Sequence, residues 1–457
     1  MKHSTSSPPD SKPDVPAVPF REALKVWLKV ALLSFGGPAG QISVMHKFLV
    51  EQKQWISETR FLHALNYCML LPGPEAQQLA TYIGWVLHKV KGGIIAGGLF
   101  VLPGFISILV LSILYAVFAE ADLVQALFFG IKPAVLAIVL GAVYKIGQKA
   151  LKNGVMVSIA LLAFVGIFFL NVPFPLIIIG AGIIGFLGGR FLEDKFQVVK
   201  GKEVENSSSE IEDQDTTRPP FKNLFKTLGI WLTLWFVPVI ALVLLFEPGH
   251  IFVQQSIFFS QVAVVTFGGA YAVLAYVAQQ AVETHGWLLP GEMLDGLGMA
   301  ETTPGPLIQV VQFVAFMGAF RNPGAFDPVV AGIIASFLVT WVIFIPCFLF
   351  IFSGAPYIEY LRGNKSLTAA LSGITAAVVG VILNLGIWFS MNTLFTEVVE
   401  KYHFGIRILT PVVETLEPGA LLITVIALTV HFVFRWGMMK TLLSCVTAGM
   451  IYYFIFM

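Results

Sequence analysis

The sequence predicts an all-α polytopic membrane protein made of two inverted-topology repeats whose helices are broken or re-entrant. Three observations carry that prediction. Of 457 residues, 57% are hydrophobic and 12% charged, where a soluble domain carries about 25% charged residues. A stretch running from Phe35-Gly36-Gly37-Pro38 to Leu71-Pro72-Gly73-Pro74 recurs as Phe267-Gly268-Gly269 to Thr303-Pro304-Gly305-Pro306, with both landmarks displaced by 232 positions. At the same offset Glu51, Trp55, Leu62 and Gln77 fall on Glu283, Trp287, Leu294 and Gln309. The third observation is that the Lys/Arg pattern of the loops reverses from one half to the other.

Residues 1–19 hold Pro8, Pro9, Pro13, Pro16 and Pro19 among Ser, Asp and Lys and are expected to form a disordered tail. No apolar run follows a basic start there, so the tail does not read as a signal peptide. The first membrane repeat is expected over 20–190, with apolar segments near 21–46, 59–88, 92–118, 123–149, 153–170 and 172–189. The last four are of bilayer-crossing length, about 20 residues of helix, and the first two are interrupted by glycine and proline. Residues 191–226 read as a cytoplasmic polar linker, with Glu203, Glu205, Glu210, Glu212, Asp213 and Asp215 among Lys200, Lys202 and Arg218.

An extra transmembrane helix over 227–247 has no counterpart in the first half. The second repeat, 248–457, repeats the pattern as 251–281, 293–319, 330–353, 367–393, 419–434 and 439–457. An insertion near 321–331 changes the offset to 243, which carries Leu102-Pro103 to Ile345-Pro346 and Gly130-Ile131 to Gly373-Ile374. The final two segments of each half align only loosely. Counting broken segments as crossings gives about thirteen spans.

Loop charges set the orientation. In the first half Lys89 and Lys91 precede the third segment, Glu120 and Asp122 follow it, Lys145, Lys149 and Lys152 follow the fourth, and Arg190 follows the sixth. The N-terminus and linker are therefore expected in the cytoplasm. In the second half Arg362 and Lys365 stand where the first half has acids, and Glu397, Glu400, Glu414 and Glu417 stand where it has lysines. The extra helix reverses the start of the second repeat, hence the inversion.

The breaks hold the candidate chemistry. Proline removes a helix hydrogen bond, and freed backbone groups cannot face lipid, where each costs several kcal/mol. They must be buried in protein or line a cavity. A single Gly-Pro kink is most simply a packing feature. Four breaks in two matched pairs resemble the way secondary transporters build a midplane site from helix ends. The helices restarting at Pro38 and Pro74 present unpaired N–H groups and a positive dipole end. One such end contributes about 0.3–1 kcal/mol to an anion when exposed, up to ~2 when partly buried. Dehydrating an ion costs far more, so a dianion needs added donors.

The candidate substrate-binding residues are therefore Ser34, Gly36, Gly37, Pro38, Gln41, Pro72, Gly73, Pro74, Gln77 and Gln78 in the first half. Gly268, Gly269, Thr302, Thr303, Pro304, Gly305 and Gln309 are those of the second, with Thr266 and Gln312 nearby. Lys132 joins them as the one cation deep in an unbroken segment, about ten residues or roughly 15 Å from its acidic end. The bland alternative for Lys132 is a lysine paired with a helix C-terminus or a buried carboxylate. Glu301 and Glu75 are the candidate proton-coupling acids, although they are not repeat equivalents. Glu75 begins a restarted helix, where the dipole stabilises its charge and a capping role is as good a reading. Glu301 precedes a break, where dipole and burial both oppose the charge, so it is the better proton carrier.

Other classes find little support. Cys68, Cys347 and Cys445 are scattered in apolar segments and suggest neither metal nor disulfide. The histidines form no close pair on one helical face, and no phosphate-binding loop or nucleophile elbow occurs. No cofactor and no enzymatic activity are expected. A net charge of +1 without basic patches gives no reason to expect nucleic acid.

Taken together, Phe35-Gly36-Gly37-Pro38, Trp55, Leu71-Pro72-Gly73-Pro74-Glu75-Ala76-Gln77-Gln78-Leu79, Phe267-Gly268-Gly269, Trp287 and Thr303-Pro304-Gly305-Pro306 resemble the chromate ion transporter family in its long, two-domain form. Ile345-Pro346-Cys347-Phe348 and Gly354-Ala355-Pro356-Tyr357-Ile358 also match that pattern. The resemblance covers the chain from about residue 20 onward. It implies a multi-pass protein of the cytoplasmic membrane that exports chromate, a tetrahedral dianion, driven by the membrane potential or a proton gradient. The substrate identity comes from the resemblance alone. A transporter of sulfate or another oxyanion is the alternative, as is an anion channel, which would have no reason for a buried acid such as Glu301. A homodimer is left open.

A reporter fused after Met457 is expected to read as extracytoplasmic. A cytoplasmic signal from that fusion would remove the inverted arrangement.

Overall fold

The protein is described by a computed structural model over residues 18–196, 221–267, 269–355 and 365–457. Most of the N-terminal tail and of the linker, together with Gly268, Pro356-Tyr357-Ile358 and Arg362, lie outside the described residues.

The first half contains α1 (Phe20–Leu33), α2 (Gly37–His46) with a π-helical end Lys47–Gln52, α3 (Glu58–Leu70), α4 (Glu75–Phe118), α5 (Asp122–Ala150), α6 (Gly154–Phe168), α7 (Phe174–Phe191) and the short α8 (Glu193–Phe196). Next comes α9 (Phe221–Leu245). The second half contains α10 (Ile251–Val265), α11 (Ala270–Gln279) with a π-helical end Gln280–Thr284, α12 (Glu292–Thr302) and α13 (Val310–Arg321), which a 3-10 turn Leu307–Gln309 introduces. It ends with α14 (Pro328–Gly354), α15 (Lys365–Leu394), strands β1 (Val398–His403) and β2 (Ile406–Pro411), α16 (Pro418–Leu428) and α17 (Met438–Phe456). This is an all-α polytopic membrane protein with, among the described residues, one small hairpin.

Among the described residues, seven helices are long and apolar enough to cross a membrane: α4, α5, α7, α9, α14, α15 and α17. Shorter apolar helices span Gly154–Phe168, Ile251–Val265, Leu307–Arg321 and Pro418–Val433. The expected segments 59–88 and 92–118 meet in α4, which bends at His88 (φ −139°) and Lys89 (φ 54°). In the second half the corresponding bend has become a full interruption, residues 322–327 between α13 and α14. The expected insertion lies there. Beyond it α5 and α15 correspond at the offset of 243, which carries Gly130-Ile131 of α5 to Gly373-Ile374 of α15.

The four breaks fall where glycine and proline predict them. Gly36 and Gly37 both take positive φ, 88° and 68°, between α1 and α2. Gly269, at φ 97°, opens α11. Gly73 and Gly305, at φ 119° and 120°, occupy the same conformation in the two Pro-Gly-Pro breaks. Local bonds repeat as well. Ser34 Oγ donates to the Val30 carbonyl at 2.7 Å and Thr266 Oγ1 to that of Val262 at 2.6 Å. The Trp55 N–H donates to Leu49 at 2.9 Å and the Trp287 N–H to Ala281 at 2.7 Å, each closing a π-helical end.

Between the copies, bonds are exchanged. The Gly73 N–H donates to the Thr266 carbonyl at 2.8 Å, and the Gly305 N–H to the Ser34 carbonyl at 3.0 Å. Thr266 is the counterpart of Ser34, and Gly305 that of Gly73, so this pair of contacts is reciprocal, as in a two-fold interface. The packing is tight. A Cβ on Gly305 would lie 2.9 Å from Gly104 Cα, and one on Gly73 would lie 2.9 Å from Cys347 Sγ. Gly104 and Cys347 are themselves counterparts at the offset of 243.

The remaining helices frame this crossing. α15 packs against α5, α6 and α7, α17 against α5, and α14 against α4, α9, α10 and α13. Small residues set the closest approaches, as is usual between membrane helices. A Cβ on Gly449 of α17 would lie 2.4 Å from Gly130 Cα of α5.

The hairpin was expected only as an acidic loop. It turns at Phe404-Gly405, both at positive φ, and docks through Arg407, whose N–H donates to the Phe169 carbonyl at 2.7 Å. The buried Arg407 guanidinium contacts Glu283 at 2.7 Å and Glu400 at 2.9 Å.

Gly305→Ala places a side chain at a left-handed φ and against Gly104, so it is expected to destabilise by about 1–3 kcal/mol or more. Gly98→Ala, where nothing lies within 4 Å, is the control. Thermal unfolding of detergent-purified protein reads both, and equal midpoints would show that the crossing is not under this constraint.

Candidate functional site

The crossing gathers many of the sequence-predicted residues. Ser34 caps the end of α1, and Pro72, Gly73 and Pro74 join α3 to α4. Thr303, Pro304 and Gly305 join α12 to the 3-10 turn. Gln41 of α2 reaches across the two copies and donates through Nε2 to the Gly305 carbonyl. Gln78 of α4 donates to the Pro72 carbonyl at 2.6 Å, and Gln77 to Thr81 Oγ1 at 3.1 Å. Gln309, the counterpart of Gln77, donates to Gln312 Oε1 at 2.6 Å and to Thr340 Oγ1 at 3.0 Å. Gln312 is fixed in turn by donating to the Phe105 carbonyl at 3.0 Å.

These bonds fix which end of each amide is free. The N–H groups of Gln77, Gln78 and Gln309 are committed to protein acceptors, and their Oε1 atoms are buried without partners. The Thr302 hydroxyl donates to the Gly298 carbonyl at 2.9 Å, and that of Thr303 to Ala300 at 3.5 Å. In this arrangement the crossing offers acceptors, whereas an anion needs donors.

Donors remain at the other pair of breaks. α2 and α11 begin without a side-chain cap, so their first N–H groups are left to other partners. Pro38 lies in the first turn of α2, as its missing N–H allows. Gly37 and Gly269 are counterparts, and a Cβ on either would meet nothing within 4 Å. Two matched helix N-termini therefore border open space. Glu301, buried at the end of α12, accepts a hydrogen bond from Tyr271 of the first turn of α11, and its Oε2 has no partner. This brings a carboxyl beside the start of α11. Glu75 is placed apart from that pair in sequence and heads α4 in its first turn.

Lys132 is placed at a different point, with partners that sequence reasoning did not single out. Its Nζ lies 3.5 Å from Asp295 Oδ2 and close to Gly291, where α12 begins. Tyr115 of α4 donates to Asp295 Oδ2 at 2.9 Å. Glu292 is held by Arg321 through 2.7 and 2.6 Å contacts and accepts from the Leu289 N–H at 2.7 Å. Both acids occupy the first turn of α12, where the dipole favours them. The available signal was a pair of acids, Glu292 and Asp295, in the helix that also carries Glu301. Among the described residues no group of three or more His, Cys, Asp or Glu could hold a metal.

The chain can be compared with known proteins. The family profile described as Chromate transporter matches residues 21–186 and 253–451. The chain is 26% identical over 385 residues to the chromate transport protein of Cupriavidus metallidurans, covering 83% of this chain and 86% of that protein. It is 29% identical over 375 residues to the chromate transport protein of Pseudomonas aeruginosa, covering 80% of each. With the probable chromate transport protein of Synechococcus elongatus the identity is 27% over 370 residues, covering 80% of this chain and 84% of that protein. No solved structure matches the chain. A profile match across both copies of the broken stretch, in a polytopic membrane protein, settles the family: the chain belongs to the chromate transporters.

Proposed function

We propose that this protein exports chromate across the cytoplasmic membrane, driven by the membrane potential, through two inverted-topology repeats that part and close around the breaks. The substrate rests on the family and on relatives named for chromate transport. One observation carries the site: the uncapped N-termini of α2 and α11, matched at Gly37 and Gly269 and bordering open space. Helix N-termini attract anions, and two of them address a dianion better than one. The reciprocal bonds at Gly73 and Gly305 support a two-fold relation between the copies, because in this state each copy closes the other's break, and the reversed loop charges support its inversion.

Parting the copies would free the Gly73 and Gly305 N–H groups and add donors to the path. Ser34, Gln41, Gln77, Gln78 and Gln309 would then be able to turn toward the substrate, as would Thr302 and Thr303. The energetics favour this direction. A dianion leaving an inside-negative cell gains about 2.3 kcal/mol per charge per 100 mV, roughly 5 kcal/mol in all. Uptake would have to overcome the same sum.

In cells, expression is expected to lower internal chromate, and in proteoliposomes reversal of an imposed potential is expected to reverse the flux. Raised internal chromate in energised cells would replace export with uptake. Flux that stays at the anion's own equilibrium potential at every imposed proton gradient would replace the transporter with a channel. Glu301→Gln, tested in the same vesicles, is expected to diminish the response to external pH while some potential-driven flux remains. An unaltered pH response would leave Glu301 a structural partner of Tyr271. Lys132→Gln is expected to weaken oxyanion binding at constant expression, and unchanged affinity would make that lysine structural.

A further inference from the structure

We propose that Asp295 is an internal counter-ion which an oxyanion displaces from Lys132, and that the displaced carboxylate takes up a proton, so that anion and proton occupy this cluster together. The inference rests on the transport reading above and assigns a second proton site, apart from Glu301.

The geometry carries it. Asp295 is 2% exposed, and only one of its oxygens is engaged. Oδ2 faces Lys132 Nζ at 3.5 Å and the Tyr115 hydroxyl at 2.9 Å, while Oδ1 is buried with no partner. A buried carboxylate with one unpartnered oxygen is a built place for a proton. Lys132 is the accessible member of the pair, with a third of its side chain exposed against 3% for Asp295. An anion arriving from the accessible side therefore meets the ammonium first.

The charged surroundings are complete enough to fix the sign. α12 packs against α4, α5, α13 and the 3-10 turn. α5 presents Lys132, α4 presents Tyr115, and α13 presents Arg321, which Glu292 of α12 itself neutralises. The turn Leu307–Gln309 presents nothing titratable. Lys132, Asp295, Arg321 and Glu292 thus sum to zero at rest. An oxyanion added to Lys132 meets the Asp295 carboxylate at the same ammonium and is repelled by it. A proton on Asp295 removes that repulsion and leaves the cluster with one net positive charge.

Binding of the two is then mutually favourable, and linkage makes the effect reciprocal: acid strengthens anion binding, and anion binding draws in a proton. The bond formed is O–H on Asp295, the proton comes from water, and nothing is oxidised or reduced. The sign is opposite to that of an exchange, in which proton and anion take turns. A dianion carried with one proton also moves one net charge outward instead of two.

The test is titration calorimetry of the purified full chain with chromate, in alkaline buffers of different ionisation enthalpy, where chromate is already the dianion. Wild type is expected to take up about one proton per anion bound. Asp295→Asn is expected to take up none, to bind several-fold more tightly at high pH and to lose the pH dependence. Asp295→Glu is expected to keep proton uptake. Proton release or no proton change in wild type overturns the proposal, as does wild-type pH dependence in Asp295→Asn. Asp295→Asn that is folded yet binds as poorly as Lys132→Gln also overturns it, since the pair would then be structural.

If chromate does not bind but sulfate or molybdate does, the substrate assignment fails and the proton count is made with that ion. If no oxyanion binds, the transport reading fails, and infrared difference spectra of the unliganded protein decide. A carboxylic C=O band that appears on acidification and vanishes in Asp295→Asn supports the proton site, and a band unchanged by that substitution refutes it.

Discussion

The structure depends on one constraint: a backbone group released from a helix inside a membrane must find another partner. Lipid offers none, and each orphan costs several kcal/mol. Here the release and the repair are shared between the two copies. Gly73 is repaired by Thr266, and Gly305 by Ser34. At its glycine N–H each Pro-Gly-Pro break is closed by the other copy. The two copies therefore complete one another at these breaks, and the glycines must be glycines because at their positive φ a Cβ on Gly305 or Gly73 would lie 2.9 Å from Gly104 or Cys347 of the other copy.

Charge obeys the same rule as the backbone. The buried acids of α12 each lie against a hydrogen-bond donor or cation: Glu292 with Arg321, Asp295 with Lys132 and Tyr115, Glu301 with Tyr271. An isolated charge in so apolar a surrounding is costly, and pairing reduces that cost. What distinguishes Asp295 and Glu301 from Glu292 is incompleteness. Glu292 uses both oxygens, whereas the other two each leave one oxygen without a partner.

Much of this was legible in the sequence because glycine and proline act locally. Phe35-Gly36-Gly37-Pro38 and Pro72-Gly73-Pro74 break helices wherever they occur, and a constant offset of 232 announces their copies. Lys132 and Glu301 were legible because an ion in an apolar run stands out. Their partners were not. Lys132 and Tyr115 reach Asp295 from different helices, a juxtaposition that no local pattern encodes. The π-helical ends at Lys47–Gln52 and Gln280–Thr284 differ from α-helix by one residue in one turn, too little to shift an apolar period. The hairpin could have been read from the alternation in Ile406-Arg407-Ile408 after the Phe404-Gly405 turn, a two-residue loop with both φ positive. Its glutamates drew attention to charge instead. The direction of the free amide oxygens at Gln77, Gln78 and Gln309 was also hidden, since it depends on acceptors such as Thr81, Pro72 and Thr340.

Among the described residues the hairpin belongs to one copy only. Glu51 and Glu283 are counterparts, yet Glu51 meets His46 of its own helix at 3.1 Å, while Glu283 is tied to Arg407 of the hairpin. Two identical halves related by a two-fold axis would leave any departure from that symmetry with two equivalent versions of equal energy. A clasp on one half lifts that degeneracy. Arg407, seated between Glu283, Glu400 and the Phe169 carbonyl, has no such counterpart at Glu51 among the described residues, so the two halves differ and the molecule has a front and a back.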